Sequence, residues 1–463
     1  MKVGMRRITH VSGRLWPRVG ATGSIIRPGF SFSPASLGSK VLRWSHARDL
    51  SQFAAGTTAG SGAVSTGQNA GYWADLSPAA GAFIQSAAPQ KPIVRRHSSK
   101  GVGGIVMGSG GVAAGGDYMA TAATVAGIKY AYMVATPIGP DFTRGPAADP
   151  VPRWYDNYHG FMGTSVIATS AVLFTGFISS SDWGNYSLTE YTRDGTIIPA
   201  SSADVGYGRK KYVYRVTHAS SPDTGNLNIL RHVGYDGYYA RGGIHEVMAL
   251  SSVVTAPELA QLDEYFQSYW LSGPQIIITG DSISAGYGIT ESQGPAALIW
   301  EAYDGSIDCP SIAIPGQGVT SSVVTTTQTM TINDPARIAA IAGRHSNIIV
   351  ALAGTNDLGQ GRTAAQLFAD LQAYTAAAQA LGHRVIVGTI AARSDGIWSG
   401  AAEIQRVAYN SLISASHAWA NGFVDVAAKA PALQGDNVHW TAASTADVYT
   451  GTNGVKSVID TLI

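Results

Sequence analysis

Apolar and polar positions along this chain follow two rhythms, and the change between them falls near residue 273. From Val41 to about Val254, short runs rich in β-branched and aromatic residues (128–134, 165–169, 172–178, 211–216 and 227–230) alternate with clusters of Gly, Asn, Asp and Pro. Runs of this length, punctuated in this way, predict antiparallel strands joined by tight turns and packed as a sandwich. Thr255-Ala256-Pro257-Glu258-Leu259 then opens a helix: Thr255 caps it, Pro257 sits in its first turn, and Leu259, Leu262, Tyr265, Phe266 and Trp270 form one apolar stripe. Ser272-Gly273-Pro274 stops it.

Beyond Pro274 continuous apolar runs alternate with amphipathic stretches. Strands are predicted over 275–279, 311–314, 347–353, 384–389 and 423–426, and helices near 333–343, 364–381, 400–419 and 441–462. Strands without a polar face, separated by helices, predict a parallel sheet covered on both sides. The expected organisation is therefore an N-terminal arm over 1–38, an all-β sandwich over 39–272 and an α/β domain over 273–463. The arm mixes Arg14, Pro17, Arg18, Arg27 and Pro28 without periodicity, and two readings stay open for it: an anchor on a partner assembly, or a disordered terminus.

Composition narrows the function classes. At 463 residues the chain exceeds one typical core, and a net charge of +1 with 13% charged residues supplies no global field for nucleic acid or an acidic membrane. The single cysteine, Cys309, rules out an intrachain disulfide and argues against a Cys-based zinc site. The basic start lacks an apolar signal core, and no run of roughly 18 apolar residues offers a membrane span, so the expectation is a soluble chain not conventionally secreted. The 55 glycines, concentrated in the first half, suit short strands and tight turns. The glycine-rich 101–116 lacks the Gly-Lys-Ser/Thr of a phosphate loop and reads as a hairpin or surface loop.

In a parallel α/β sheet, active residues gather where strands end. Four predicted exits carry suggestive residues: Gly280-Asp281-Ser282, Pro315-Gly316-Gln317-Gly318, Gly354-Thr355-Asn356-Asp357 and Asp436-Asn437-Val438-His439. Acyl transfer by serine needs a base, a carboxylate to orient it, and donors for the oxyanion. Ser282 is the candidate nucleophile, His439 the base and then acid, and Asp436 the group that holds the imidazole tautomer. The candidate oxyanion donors are the backbone N–H groups of Ser282 and Gly316 and the side-chain amide of Asn356. Asp281 reads as a turn cap, and Trp440 either walls an acyl pocket or belongs to the core.

In these blocks the C-terminal part resembles the SGNH (GDSL-type) esterases and lipases over roughly 275–463. Gly280-Asp281-Ser282-Ile283-Ser284 matches the first block, with Ile283 where the name-giving Leu stands; Gly354-Thr355-Asn356-Asp357 and Asp436-x-x-His439 match two others. The glycine block lacks the Asn often found upstream, so Gly318 stays open as a donor in place of Gly316. The resemblance implies a flavodoxin-like three-layer sandwich that needs no metal or cofactor. No Gly-x-Ser-x-Gly elbow of the α/β-hydrolases is present.

A looser resemblance covers roughly 40–272. Residues 44–50, 67–75 and 242–250, with the helix after them, are similar to concanavalin A-like or laminin-G-like jelly rolls of bacteriophage virion proteins. It implies a glycan-binding module, for which Tyr235, Tyr238, Tyr239, Trp154, Tyr155 and Tyr158 either supply stacking faces or fill the sandwich. Taken together, the resemblances imply a virion-associated esterase that removes O-acetyl groups from host surface polysaccharide. Its arm would meet other virion proteins, with a homo-oligomer expected by the virion analogy. The rival is a structural or adhesive virion protein whose hydrolase fold is a scaffold; a cellular lipase or esterase with a binding module is a third reading.

Overall fold

The computed structural model describes residues 32–65, 67–79, 81–96, 104–111, 119–137, 160–165, 171–175, 188–197, 209–218, 223–229, 239–271, 273, 275–323, 329–341, 347–396 and 398–463. Most of the expected arm, Trp154, Tyr155, Tyr158, Tyr235, Tyr238 and half of 101–116 lie outside them, as does the side chain of Tyr239, whereas Gly104–Gly111 is a strand.

Among the described residues the first half builds two antiparallel sheets. Tyr130–Pro137 and Tyr239–Leu250 lie side by side in one, and Asp223–Ile229 pairs with Gly160–Ser165 and Met119–Thr121 in the other. Strand alternation decides which side chains meet. Ala131, Met133 and Ala135 point into a cluster shared with Trp73, Phe83 and Ile229 of the opposite sheet. Tyr132 and Val134, between them, face outward. That outer face is buried as well, because the helix Ala256–Trp270 lays Leu262, Tyr265, Phe266 and Trp270 over it. Ile244 and Val247 both face the inner cluster although an odd number of positions separates them. A register shift opposite Val134 and Ala135 puts one extra residue, His245, into the strand and resolves the conflict. Expected strand 128–134 is interrupted at Lys129, and Pro34–Lys40, expected in the arm, is a 3₁₀ turn whose Leu37 joins the outer cluster.

Glu246 lies under the same helix with no exposed surface. Its carboxylate accepts from the indoles of Trp44 (2.7 Å) and Trp270 (2.6 Å) and from Tyr265 Oη (3.1 Å), and it pairs with Arg48. Burial alone would raise its pKa, but Arg48 and the donors around it outweigh burial and hold it below the ordinary value. The guanidinium of Arg48 in turn stacks 3.7 Å from the Tyr269 ring centre. One carboxylate thus ties the first strand, the last strand and the helix together.

The architecture changes between Trp270 and Ile276. Strands Ile276–Gly280, Ile348–Leu352, Arg384–Gly388 and Gly422–Val424 form a parallel sheet in that order. Ile276, Ile278, Val350 and Ile386 meet Trp300, Tyr303 and Tyr449 on one face. Ile277, Ile349, Val385 and Val387 meet Ile341, Leu371, Tyr374 and Tyr409 on the other. Both faces are covered, which is why these strands read as unbroken apolar runs. The strand expected over 311–314 reduces to a single bridge from Ser311 to Ile278, with Ile312 N–H and Ile314 N–H still bonded to Ile278 and Gly280. The helix expected over 441–462 breaks into Ala442–Thr450 and Val455–Leu462, because the chain turns through Gly451 and Gly454. At Gly451 a Cβ would fall 2.2 Å from Asp447 Oδ1.

The halves touch through a buried ion pair, Lys211 Nζ to Asp308 Oδ1 at 2.5 Å, and through Cys309 N–H donating to the Arg209 carbonyl at 2.8 Å. A half-exposed pair, Arg95 with Glu301, adds to the contact.

Removing one member of a buried charge pair typically costs about 3–5 kcal/mol, whereas an exposed pair contributes about 0–1 kcal/mol. Urea unfolding followed by tryptophan fluorescence should therefore show Glu246→Ala strongly destabilised and Arg95→Ala nearly unchanged. Equal small effects would show that the Glu246 cluster does not hold this region together.

Candidate active site

The first exit is shaped by close approach. Gly280 has φ of 128°, and a Cβ on it would fall 2.6 Å from the Leu352 carbonyl of the neighbouring strand. Only glycine fits such a position without strain. Asp281 then caps the short helix Ser282–Ala285, its Oδ1 accepting from Ile283 N–H at 2.9 Å, and Ser284 Oγ donates to the Leu352 carbonyl at 2.8 Å. The turn needs its cap in order to present Ser282 as the first helical residue. Cap and candidate nucleophile are two parts of one device.

The last exit approaches from the other end of the chain. Asp436 Oδ1 accepts from Val438 N–H and His439 N–H, both at 3.0 Å, folding the loop around the carboxylate. Asp436 Oδ2 lies 2.6 Å from His439 Nδ1, and His439 Nε2 lies 2.8 Å from Ser282 Oγ. A carboxylate facing Nδ1 keeps the proton on that nitrogen and leaves Nε2 to accept from the serine hydroxyl. The slight burial of Asp436 would raise its pKa, but the His439 ring and the two backbone donors outweigh that and bring it down to about 2. It is ionised across the physiological range. Tyr287, half exposed, places its ring 4.6 Å from the imidazole, and Gln434 Nε2 donates to the Tyr287 and Trp440 carbonyls at 3.0 and 2.8 Å. Nothing in the sequence marked Tyr287; it sits in a turn, and only the fold brings it to His439.

Besides the backbone N–H of Ser282 in the first exit, the candidate oxyanion donors lie in the two middle exits. Gly316 adopts φ of 80°, and its carbonyl accepts from Ser322 Oγ and Val323 N–H, both at 3.1 Å. Gly318 is small for another reason: a Cβ there would stand 2.5 Å from Asp357 Oδ2. That carboxylate accepts from Val319, Thr320 and Ser321 N–H at 2.8, 3.0 and 3.0 Å and so clips the glycine loop to the Asn356 loop. Asn356 Nδ2 donates to the Gln317 carbonyl at 2.9 Å, and the amide nitrogen carries a second hydrogen for a ligand.

Behind the turn that carries Ser282, a cavity of ≈ 30 Å³ is lined by the polar residues Asp281, Thr355, Thr389 and Arg393 together with Ile283, Ala353, Ile390, Ala391, Val438 and Trp440; Ser282, Asn356 and His439 are not among its lining residues. A larger groove, ≈ 880 Å³, runs along the sheet edge at Gly422 and shares no lining residue with this site, so size alone would misplace the chemistry. Among the described residues no group of three or more His, Cys, Asp or Glu is arranged to hold a metal ion, and no helix is long and apolar enough to cross a membrane.

Asp281 offers a signed test of this geometry. Burial raises its pKa to about 7, against the pull of the Ile283 and Ser284 backbone donors. A carboxyl whose pKa rises on folding contributes stability that is complete below its unfolded pKa and is lost as pH climbs through the folded value. The melting temperature of Asp281→Asn relative to the natural protein should therefore increase between pH 4 and pH 7 and level off above. A difference that stays flat across this window would contradict the assigned burial.

Residues 278–454 match the GDSL-like Lipase/Acylhydrolase family. No curated protein matches the chain. Similar solved structures include a member of the lipolytic protein G-D-S-L family from Veillonella parvula (19% identity, 37% of this chain and 92% of that one, TM-score 0.31). Another is a carbohydrate acetylesterase family member from Sinorhizobium meliloti (15%, 41% and 98%, 0.33). A third is a carbohydrate esterase family 2 enzyme plus carbohydrate binding domain from Corynascus thermopiles (16%, 73% and 95%, 0.32). With the family match spanning the exits that carry Ser282, Asn356, Asp436 and His439, the C-terminal part of this chain is a GDSL/SGNH esterase domain.

Proposed function

We propose that the protein is a serine-dependent carboxylic ester hydrolase that removes acetyl groups from carbohydrate. The observation that carries this reading is the unbroken chain from Asp436 Oδ2 through His439 to Ser282 Oγ, with contacts of 2.6 and 2.8 Å. In the proposed reaction Ser282 Oγ attacks the ester carbonyl carbon while His439 Nε2 takes its proton. The carbonyl oxygen becomes an oxyanion held by the N–H groups of Ser282 and Gly316 and the amide of Asn356. Collapse breaks the ester C–O bond, and His439 returns the proton to the departing alcohol. Water, deprotonated by His439, then attacks the acyl-serine and releases the carboxylic acid and free Ser282. Asp436 stays ionised throughout and stabilises the imidazolium.

The acetyl assignment rests on the sequence resemblance, since the ≈ 30 Å³ cavity near the first exit is lined by none of Ser282, Gly316, Asn356 and His439. The exposed ring of Tyr287 at the rim of the site supports a sugar as the alcohol, since aromatic faces stack on apolar sugar faces. A virion setting, with 39–272 as a glycan-binding jelly roll, is part of the proposal and is supported by the sequence resemblance alone; it requires the chain to be found in purified particles.

On p-nitrophenyl acetate, Ser282→Ala should lower kcat by roughly 10⁴-fold or more with the fold unchanged. Rates should fall as the acyl chain lengthens from acetyl to octanoyl, and acetylated glycans should release acetate. Faster turnover of octanoyl esters would point to a lipase, and no turnover of any ester would favour the adhesive scaffold.

A further inference from the structure

Buried at the heart of the α/β domain is a carboxylate that the reaction above does not use. Asp334, on the helix Met330–Ile341, has no exposed surface. Its Oδ2 accepts from Thr279 Oγ1 at 2.6 Å and from Tyr374 Oη at 2.8 Å, and its Oδ1 accepts from Gln317 Nε2 at 3.3 Å. Burying a carboxylate is expensive, and an apolar side chain would fill this interior at lower cost. The three donors give the reason to keep it.

Thr279 stands three residues before Ser282 on the strand that delivers it. Gln317 stands between Gly316 and Gly318, is itself fully buried, and offers its backbone carbonyl to Asn356 Nδ2 at 2.9 Å. Each of the three loops that carry a candidate oxyanion donor is therefore tied to this carboxylate, directly or through Gln317. We propose that Asp334 is a positioning residue for the oxyanion hole, acting through Gln317 to fix the glycine loop and the Asn356 amide relative to Ser282. The inference rests on the esterase reading of the site. Burial pushes the pKa of Asp334 up to about 6 against the pull of the Thr279 and Tyr374 hydroxyls, so at neutral pH the group is ionised and only accepts. All three partners must then donate, which fixes the orientation of the Gln317 amide and with it the loop.

The arrangement can be inverted. Asp334→Asn puts an amide NH₂ against the Gln317 NH₂; adding Gln317→Glu restores a donor facing an acceptor, and Thr279 and Tyr374 still find an oxygen. Steady-state kinetics on p-nitrophenyl acetate at pH 8 should show kcat of Asp334→Asn reduced by about ten- to a hundredfold with KM nearly unchanged, because oxyanion contacts form in the transition state. The double variant should regain most of the loss. Should Asp334→Asn fail to fold by circular dichroism, Gln317→Leu decides, since it cuts the link to the loop and, besides it, only the 3.4 Å contact that Gln317 Oε1 accepts from Arg337 Nη1; it should show the same kcat loss. The inference is overturned if a folded variant keeps the natural kcat, if the loss lies in KM alone, or if the double variant recovers nothing. An inactive natural protein would instead overturn the esterase reading, and the inference with it, whereas activity that vanishes in Ser282→Ala but is undiminished in Asp334→Asn would sink the inference alone.

Discussion

The parallel pairing of Ile276–Gly280 with Ile348–Leu352 is the constraint on which the site depends. Both strands are buried on both faces, so their register is fixed by cores on two sides, and their ends must leave the sheet side by side. Gly280 lies opposite Leu352, close enough that any side chain on it would strike the Leu352 carbonyl. From that point one strand turns into Asp281-Ser282 and the other into Gly354-Thr355-Asn356-Asp357. A nucleophile and an amide donor on neighbouring exits follow from the sheet, and the loop after the last strand needs only to bring His439 across.

Four aspartates around these exits show how environment sorts identical groups into different work. Asp436, largely in water and facing an imidazole and two backbone N–H groups, has its pKa pulled down and is ionised beside the base. Burial raises Asp281, Asp334 and Asp357; Asp281 and Asp357 accept from backbone N–H groups of the loops of the site, and Asp334 accepts from the side chains of Thr279, Tyr374 and Gln317. The first orients a proton carrier. Asp281 and Asp357 offset their desolvation by holding backbone in place and Asp334 by holding side chains, which is the usual reason for keeping a buried polar network.

The sequence made the α/β half legible because local signals agree there. Continuous apolar strands, amphipathic helices and turn residues at each exit all point to one topology, and the four blocks fall in order. The short helix Thr355–Gly359 escaped, because it carries no periodicity and exists only as part of a strand exit, whereas the cap residues Asp281 and Ser282 announce the helix Ser282–Ala285. Tyr287, Asp334 and Gln317 escaped for a different reason: each acts on a partner far away in sequence, His439 standing 152 positions after Tyr287. The first half was legible as short antiparallel strands, yet the bulge at His245 and the turn Pro34–Lys40 depend on tertiary burial that no alternation pattern encodes. Glu246 lies within 242–250, the stretch similar to a jelly-roll strand, but its use, gathering Trp44, Arg48, Tyr265 and Trp270, needed the fold.

The central claim is that Ser282 Oγ is an activated nucleophile by virtue of His439. Treatment with a fluorophosphonate, followed by peptide mass spectrometry, tests it without choosing a substrate. The account predicts a single stoichiometric adduct on Ser282 that is lost in His439→Ala. An adduct on another residue, or equal labelling of Ser282 with and without the imidazole, would contradict it.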